Sequence, residues 1–169
     1  LIPKGPPIEV RALQWRVELP IAPRAILVNK TLASQGLAST RDFTAVTVIR
    51  ATEEIAIDER LEAGDVVVFQ ANADGVGELW GNPRFGQKEQ RLYEVTLGAE
   101  ATGNLGELNA RDHMDVISAR NATQALSETP AQAGELLYVT ADAQSLVESV
   151  DGVAMVADVG NRAPQVAKT

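Results

Sequence analysis

The chain has 169 residues, no cysteine, a single histidine and a net charge of −8, with a pI near 4.7. A chain of this length buries roughly 70% of the surface it exposes when unfolded, enough for one domain held by its own core. The cysteine count excludes disulfides, thiolate metal sites and cysteine nucleophiles. The acidic balance, with scattered lysines and no arginine run, argues against direct nucleic-acid binding, and no apolar stretch of about 18 residues is present to insert in a membrane.

Taken from the N-terminus, "LIPKGPPIEV" reads as a proline-stiffened arm carrying Ile2 and Ile8. In "LQWRVEL", Leu13, Trp15, Val17 and Leu19 alternate with polar residues, which is the period of a half-buried strand. Ile8 and Val10 alternate in the opposite phase, so a bulge or bend is expected near Ala12. Further strands are expected at "RAILV" (24–28), "FTAVTVIR" (43–50), "EIAI" (54–57), "DVVVFQA" (65–71), "RLYEVTL" (91–97), "ELLYVT" (135–140) and "VAMVADV" (153–159), with long loops at 30–42 and 82–90. Turn signals separate them at "EAGD" (62–65), "ADG" (73–75), "GNP" (81–83) and "VDG" (150–152). Asp74-Gly75 and Asp151-Gly152 suit positive-φ hairpin turns, and "SLVESV-DG-VAMVADV" reads as a hairpin, with a short helix over Ser145–Val150 as the alternative. At most one substantial helix is predicted, near 107–126, with Leu105, Leu108, Asp112, Val116, Ala119 and Thr123 on an imperfect face and Pro130 closing the segment, although Val116 and Ile117 could equally begin a strand. "GNRAPQVAKT" forms a second arm, 160–169, carrying Val166. The fold class expected is mainly β: an antiparallel sandwich, jelly-roll-like or a small barrel, built as one domain over 1–169 with arms at about 1–8 and 160–169. Gly-Glu-Leu occurs at 77–79, 106–108 and 134–136, but the residues that follow the three copies share no pattern, so no repeat is predicted.

The motifs that could carry chemistry mostly fail on physical grounds. Gly75-x-Gly77 after the strand at 65–71 imitates a dinucleotide-binding turn, yet "QANAD" intervenes and Pro83 with two glycines stands where the helix would run. "GNPRFGQK" (81–88) imitates a phosphate loop, with Gln87 in the lysine position. Asn72 and Asp74 lack the loop-closing glutamate of a calcium site, so an Asx-stabilised turn is expected there. The acidic residues of "EEIAIDERLEAGD" read as a solvated face and turn. His113, between Asp112 and Asp115, is the one residue able to serve as a triad base, and no nucleophile elbow accompanies it. A zinc site would have to be completed by carboxylates, and Arg111 and Arg120 make this segment an ion-paired surface instead. With 4% aromatic residues, a sugar cleft built around two carboxylates is disfavoured.

The sequence therefore leads to a non-enzymatic subunit that self-assembles, such as a virion coat or decoration protein or a surface filament subunit. Catalytic, cofactor and metal residues are expected to be none. Ile2, Ile8 and Val166 are the candidate assembly contacts, and copies of the chain or an adjacent subunit are the expected partners, in a virion or at an extracellular surface. Docked arms are the physical motive, because isolated arms of this composition do not recover their ordering entropy. A small β domain that binds a ligand or protein within a larger machine is the alternative, and a carboxylate-based hydrolase is the third reading.

Overall fold

The computed structural model describes residues 13–86, 90–105 and 114–159. The chain divides into two compact units, Leu1–Gly86 and Gln87–Thr169. The arms with Ile2, Ile8 and Val166, the bend expected near Ala12, and His113 lie outside the described residues. The class is the one expected from the sequence: mainly β, with antiparallel strands and one substantial helix among the described residues.

The first unit orders its strands β3-β2-β4-β1, with β1 at Trp15–Pro20, β2 at Phe43–Arg50, β3 at Glu53–Ile55 and β4 at Val66–Ala71. The alternation read in "LQWRVEL" is realised: Trp15, Val17 and Leu19 are buried, while Arg16 and Glu18 pair with each other at 2.9 Å. Strand β4 lies between β1 and β2, antiparallel to both, and Val67, Val68 and Phe69 are all fully buried. A strand flanked on both edges and buried on both faces requires a continuous apolar run, which "VVVF" provides. Phe69 meets Phe43 and Phe85 edge-on at 5.5 and 6.0 Å, favourable geometry for ring quadrupoles. "RAILV" is not a strand. Its Leu27 is buried, but its amide bonds to the Arg84 carbonyl within a succession of turns.

The expected hairpin at Asp74-Gly75 is instead the start of helix α1, Ala73–Gly81. Asn72 is its N-cap, with Oδ1 accepting from the Gly75 amide at 2.7 Å. An Asx side chain that accepts an amide two or three residues on serves a turn and a helix start alike. Gly75 accordingly does not adopt positive φ. Asp74 in the first turn suits the helix dipole, and Val76 and Leu79 bury one narrow face. The helix does follow β4 directly, contrary to the reason given above for rejecting a dinucleotide turn. That turn is still ruled out, because it belongs to a parallel crossover and β4 is antiparallel to both its neighbours.

The second unit orders its strands β6-β7-β5-β8, with β5 at Arg91–Leu97, β6 at Met114–Arg120, β7 at Leu136–Ala141 and β8 at Val153–Asp158. A short helix α2, Gln144–Glu148, precedes β8, and Gly152 takes φ 92° in the connecting turn. The helix expected across 107–126 is not formed over 114–120, which is strand. Met114, Val116 and Ala119 enter the unit's core beside Leu137, Val139 and Leu126. Pairing along β7 outweighs the weak helical stripe, and a bulge at Ile117 explains why strict alternation was absent.

The two units repeat one plan. Strand β1 pairs with β4 from Trp15↔Ala71 to Pro20↔Val66, and β5 pairs with β7 from Arg91↔Ala141 to Thr96↔Leu136. Strand β2 starts from Phe43↔Ala71 and bulges between Ala45 and Thr47, while β6 starts from Met114↔Ala141 and bulges between Val116 and Ser118. In the first unit the Ile21 amide bonds the Asp65 carbonyl, as the Leu97 amide bonds the Glu135 carbonyl in the second. Gly64 and Gly134 sit in the same turn at φ 91° and 84°. The sequences that carry this are "EAGDVVVFQANA" (62–73) and "QAGELLYVTADA" (132–143). A repeat therefore exists, contrary to the reading from Gly-Glu-Leu. Only the copy at 134–136 falls within it, opposite Gly64-Asp65-Val66.

Candidate functional site

One corner of the repeated plan, where the second strand of each unit ends beside the Gly turn, differs sharply between the units. In the first unit it is closed. Asp65 follows the Gly64 turn and is 1% exposed, although the sequence places it on a solvated acidic face. Its carboxylate accepts two hydrogen bonds from Arg50, from Nε and Nη2, both at 2.9 Å. It also accepts from the Glu62 amide at 2.8 Å. Arg50 Nη2 bonds the Arg60 carbonyl at 2.9 Å, and Nη1 lies 3.3 Å from Glu62. Burial alone would raise the Asp65 pKa. The Arg50 bonds, the Glu62 amide and the Arg50 charge outweigh burial and hold it below the usual carboxylate value. A bidentate guanidinium–carboxylate pair is the strong form of this contact.

In the second unit the same corner is open. Register places Asn121 opposite the position of Arg50, Gln132 at that of Glu62, Pro130 at that of Arg60 and Glu135 at that of Asp65. No arginine stands at the Arg50 position. A polar cavity of about 380 Å³ takes its place, lined by Arg120, Asn121, Thr129, Gln132, Gly134 and Glu135 among others. Asn121 holds φ 65°, which turns the chain at the rim; Asn tolerates this conformation better than most residues. Partial burial pushes the Glu135 carboxyl above its usual value, with the nearby Arg120 charge acting in the opposite direction. No salt bridge joins these two groups. The corner thus presents one carboxylate and one guanidinium that do not neutralise each other by contact.

A second, smaller site lies in the first unit. Thr40, Asp42, Phe43, Glu78 and Asn82 line a cavity of about 340 Å³. Asp42 Oδ1 accepts from Asn72 Nδ2 at 2.9 Å, which ties the loop before β2 to the N-cap of α1. Loss of hydration, then the charge and hydrogen bond of Asp42, raise the Glu78 pKa. Among the described residues no group of three or more acidic or histidine side chains is placed to hold a metal ion, and no helix is long and apolar enough to cross a membrane.

The sequence reading did not single out Glu135, Arg50 or Asp65, and it named Arg120 only as a surface partner. The available signal was the pair "EAGD" and "QAGE", whose spacing of 70 residues lies outside the periods of short-repeat arrays. Strand β8 offers another kind of surface. Among the described strands it pairs only with β5, and its Met155 is 68% exposed. No family model, curated protein or solved structure matches this chain.

Proposed function

We propose that this chain is a binding module, two copies of one β–α unit, in which the second unit receives a small polar ligand on behalf of a larger machine. The observation that carries this reading is the contrast between the two corners. One plan, with one register and one turn, is sealed by Arg50 on Asp65 in the first unit. In the second it is left as a cavity beside Glu135. Binding is favoured over catalysis because the ionisable groups lining that cavity are one carboxylate and one guanidinium. A guanidinium does not give up its proton in proteins, so this pair orients charge rather than relays protons. A polar cavity of this size suits a small metabolite.

The test is an amide-resolved NMR screen of the intact chain against small polar compounds. Binding should move resonances over 120–136 and leave those of Arg50 and 60–66 in place. Equal shifts at both corners, or none at the second, would overturn the reading.

The self-assembling subunit, the leading reading from the sequence, stands second here, and one observation favours it: among the described strands β8 pairs only with β5, and it carries the exposed Met155. Unpaired strand edges are templates for further strands. Sedimentation of the intact chain and of a Met155→Lys variant tests it, since an assembly through β8 should dissociate in the variant.

A further inference from the structure

We infer that the ligand of the second unit's corner is a small zwitterion with a guanidinium or ammonium head, an arginine-like amino acid, held head-first on Glu135 with its carboxylate on Arg120. This rests on the binding-module reading above and names the ligand class for that site. The first unit supplies the template. There a guanidinium satisfies the carboxylate after the Gly turn with two parallel bonds, and also satisfies the main-chain carbonyl of Arg60, four residues before Gly64. In the second unit the carboxylate is kept, as Glu135, while the guanidinium is replaced by the short amide of Asn121. Glu62, which adds charge against Arg50 at 3.3 Å, becomes the neutral Gln132. The Glu135 carboxylate is therefore left in the cavity with no guanidinium of the described residues bonded to it, where a cation of the same shape as the Arg50 head would meet the same kind of acceptor.

The cationic wall sets the other half of the ligand. Arg120 lines the cavity, half-buried, and its charge is felt at Glu135 without a direct bond between them. A simple cation would meet repulsion there, whereas a molecule that carries an anion behind its cationic head meets attraction at both ends. A cavity near 380 Å³ accommodates a molecule of amino-acid size with some water, and charge-assisted bonds to fixed, partly desolvated groups are the strong ones. Guanidinium matches the fork geometry best, and ammonium meets the charge but not the fork.

The experiment titrates the intact chain with L-arginine, with agmatine, which lacks the carboxylate, and with citrulline, which keeps the shape and loses the head's charge. Binding is followed by calorimetry and by amide shifts over 120–136. Arginine should bind tightest. Citrulline and agmatine should each be weaker by roughly tenfold or more, the scale of one lost charge-assisted bond. Glu135→Gln should weaken arginine by a similar factor, and Arg120→Gln should bring arginine down to the level of agmatine. Circular dichroism checks that both variants keep the β fold, and Arg50→Lys in the first unit serves as a control that leaves the affinity unchanged. If citrulline binds as well as arginine, or Glu135→Gln has no effect, the ligand class is wrong. If other polar compounds move the 120–136 amides and the arginine series does not, this inference falls while the binding-module reading stands. If nothing moves those amides, both fall.

Discussion

Gly75 stands in the first turn of α1, and a Cβ built there would overlap the Asp42 carbonyl oxygen, with the Asp42 carbonyl carbon at 3.0 Å and Ala71 Cβ at 3.1 Å. The oxygen is not free to retreat. It accepts the Asn72 amide at 3.0 Å, and the Asp42 side chain takes a second bond from Asn72. Gly75→Ala therefore has to push the helix away from the loop before β2. Overpacking of this kind costs about 1–3 kcal/mol, against a gain of about 0.5–1 kcal/mol from replacing a helical glycine. A net loss centred on about 1 kcal/mol, up to about 2.5 kcal/mol, is expected. Gly77 is the internal control: it lies in the same helix and a Cβ there meets nothing within 4 Å, so Gly77→Ala should gain about 0.5–1 kcal/mol. Both tryptophans, Trp15 and Trp80, belong to the first unit, so urea denaturation followed by tryptophan fluorescence reads that unit directly. Gly75→Asn separates this cause from the positive-φ turn expected from sequence, because asparagine tolerates a left-handed backbone but still carries a Cβ. A Gly75→Ala midpoint at or above the parent's would refute the close packing of α1 on Asp42.

At Gly152 both causes act together: φ is 92° and a Cβ would lie 2.9 Å from Ala101 Cα, so Gly152→Val should cost about 1 kcal/mol or more in thermal unfolding. The depressed Asp65 pKa contributes stability that is fully present above the ordinary value of 3.8 and lost as pH falls through the folded value. Asp65→Asn should lower the melting temperature at neutral pH and flatten its acid limb; an unchanged pH profile would contradict the pairing with Arg50. Glu78 has the opposite sign. Its folded pKa is raised, so stability declines as pH climbs from 4.5 through the folded value, and Glu78→Gln should stabilise at pH 7 while matching the parent near pH 4. Ser118 is fully buried and its hydroxyl has no partner among the described residues; Ser118→Ala should leave stability unchanged or raise it by about 1 kcal/mol, and a clear loss would show that the hydroxyl is bonded.

Much of the sheet was legible because its causes are local. Period-two alternation in "LQWRVEL", the continuous apolar run "VVVF" and the glycine at the "EAGD" turn each state their own environment, and the strands at 15–20, 43–50, 66–71, 91–97, 136–141 and 153–158 follow. Where two structures share one local signal, the sequence was ambiguous. "NADG" caps a helix with the same asparagine bond that would close a turn, so this local signal fits both, and the helix that forms sets Gly75 tight against the Asp42 carbonyl. Across 114–120 a helical stripe and a bulged strand place similar residues inward, and the edge of β7 selects the strand.

The corner was out of reach for a different reason. Arg50 and Asp65 are 15 residues apart and meet because β2 and β4 pair in one register. The open counterpart becomes visible only when β6 and β7 are seen to pair in that same register with Asn121 in the arginine's place. By itself the sequence determined the fold class, most strands and the exclusion of thiol chemistry, since each rests on composition or on neighbours along the chain. Tertiary structure alone decided the helix at 73–81, the duplicated plan and the charged cavity, because each depends on groups that long-range pairing brings together.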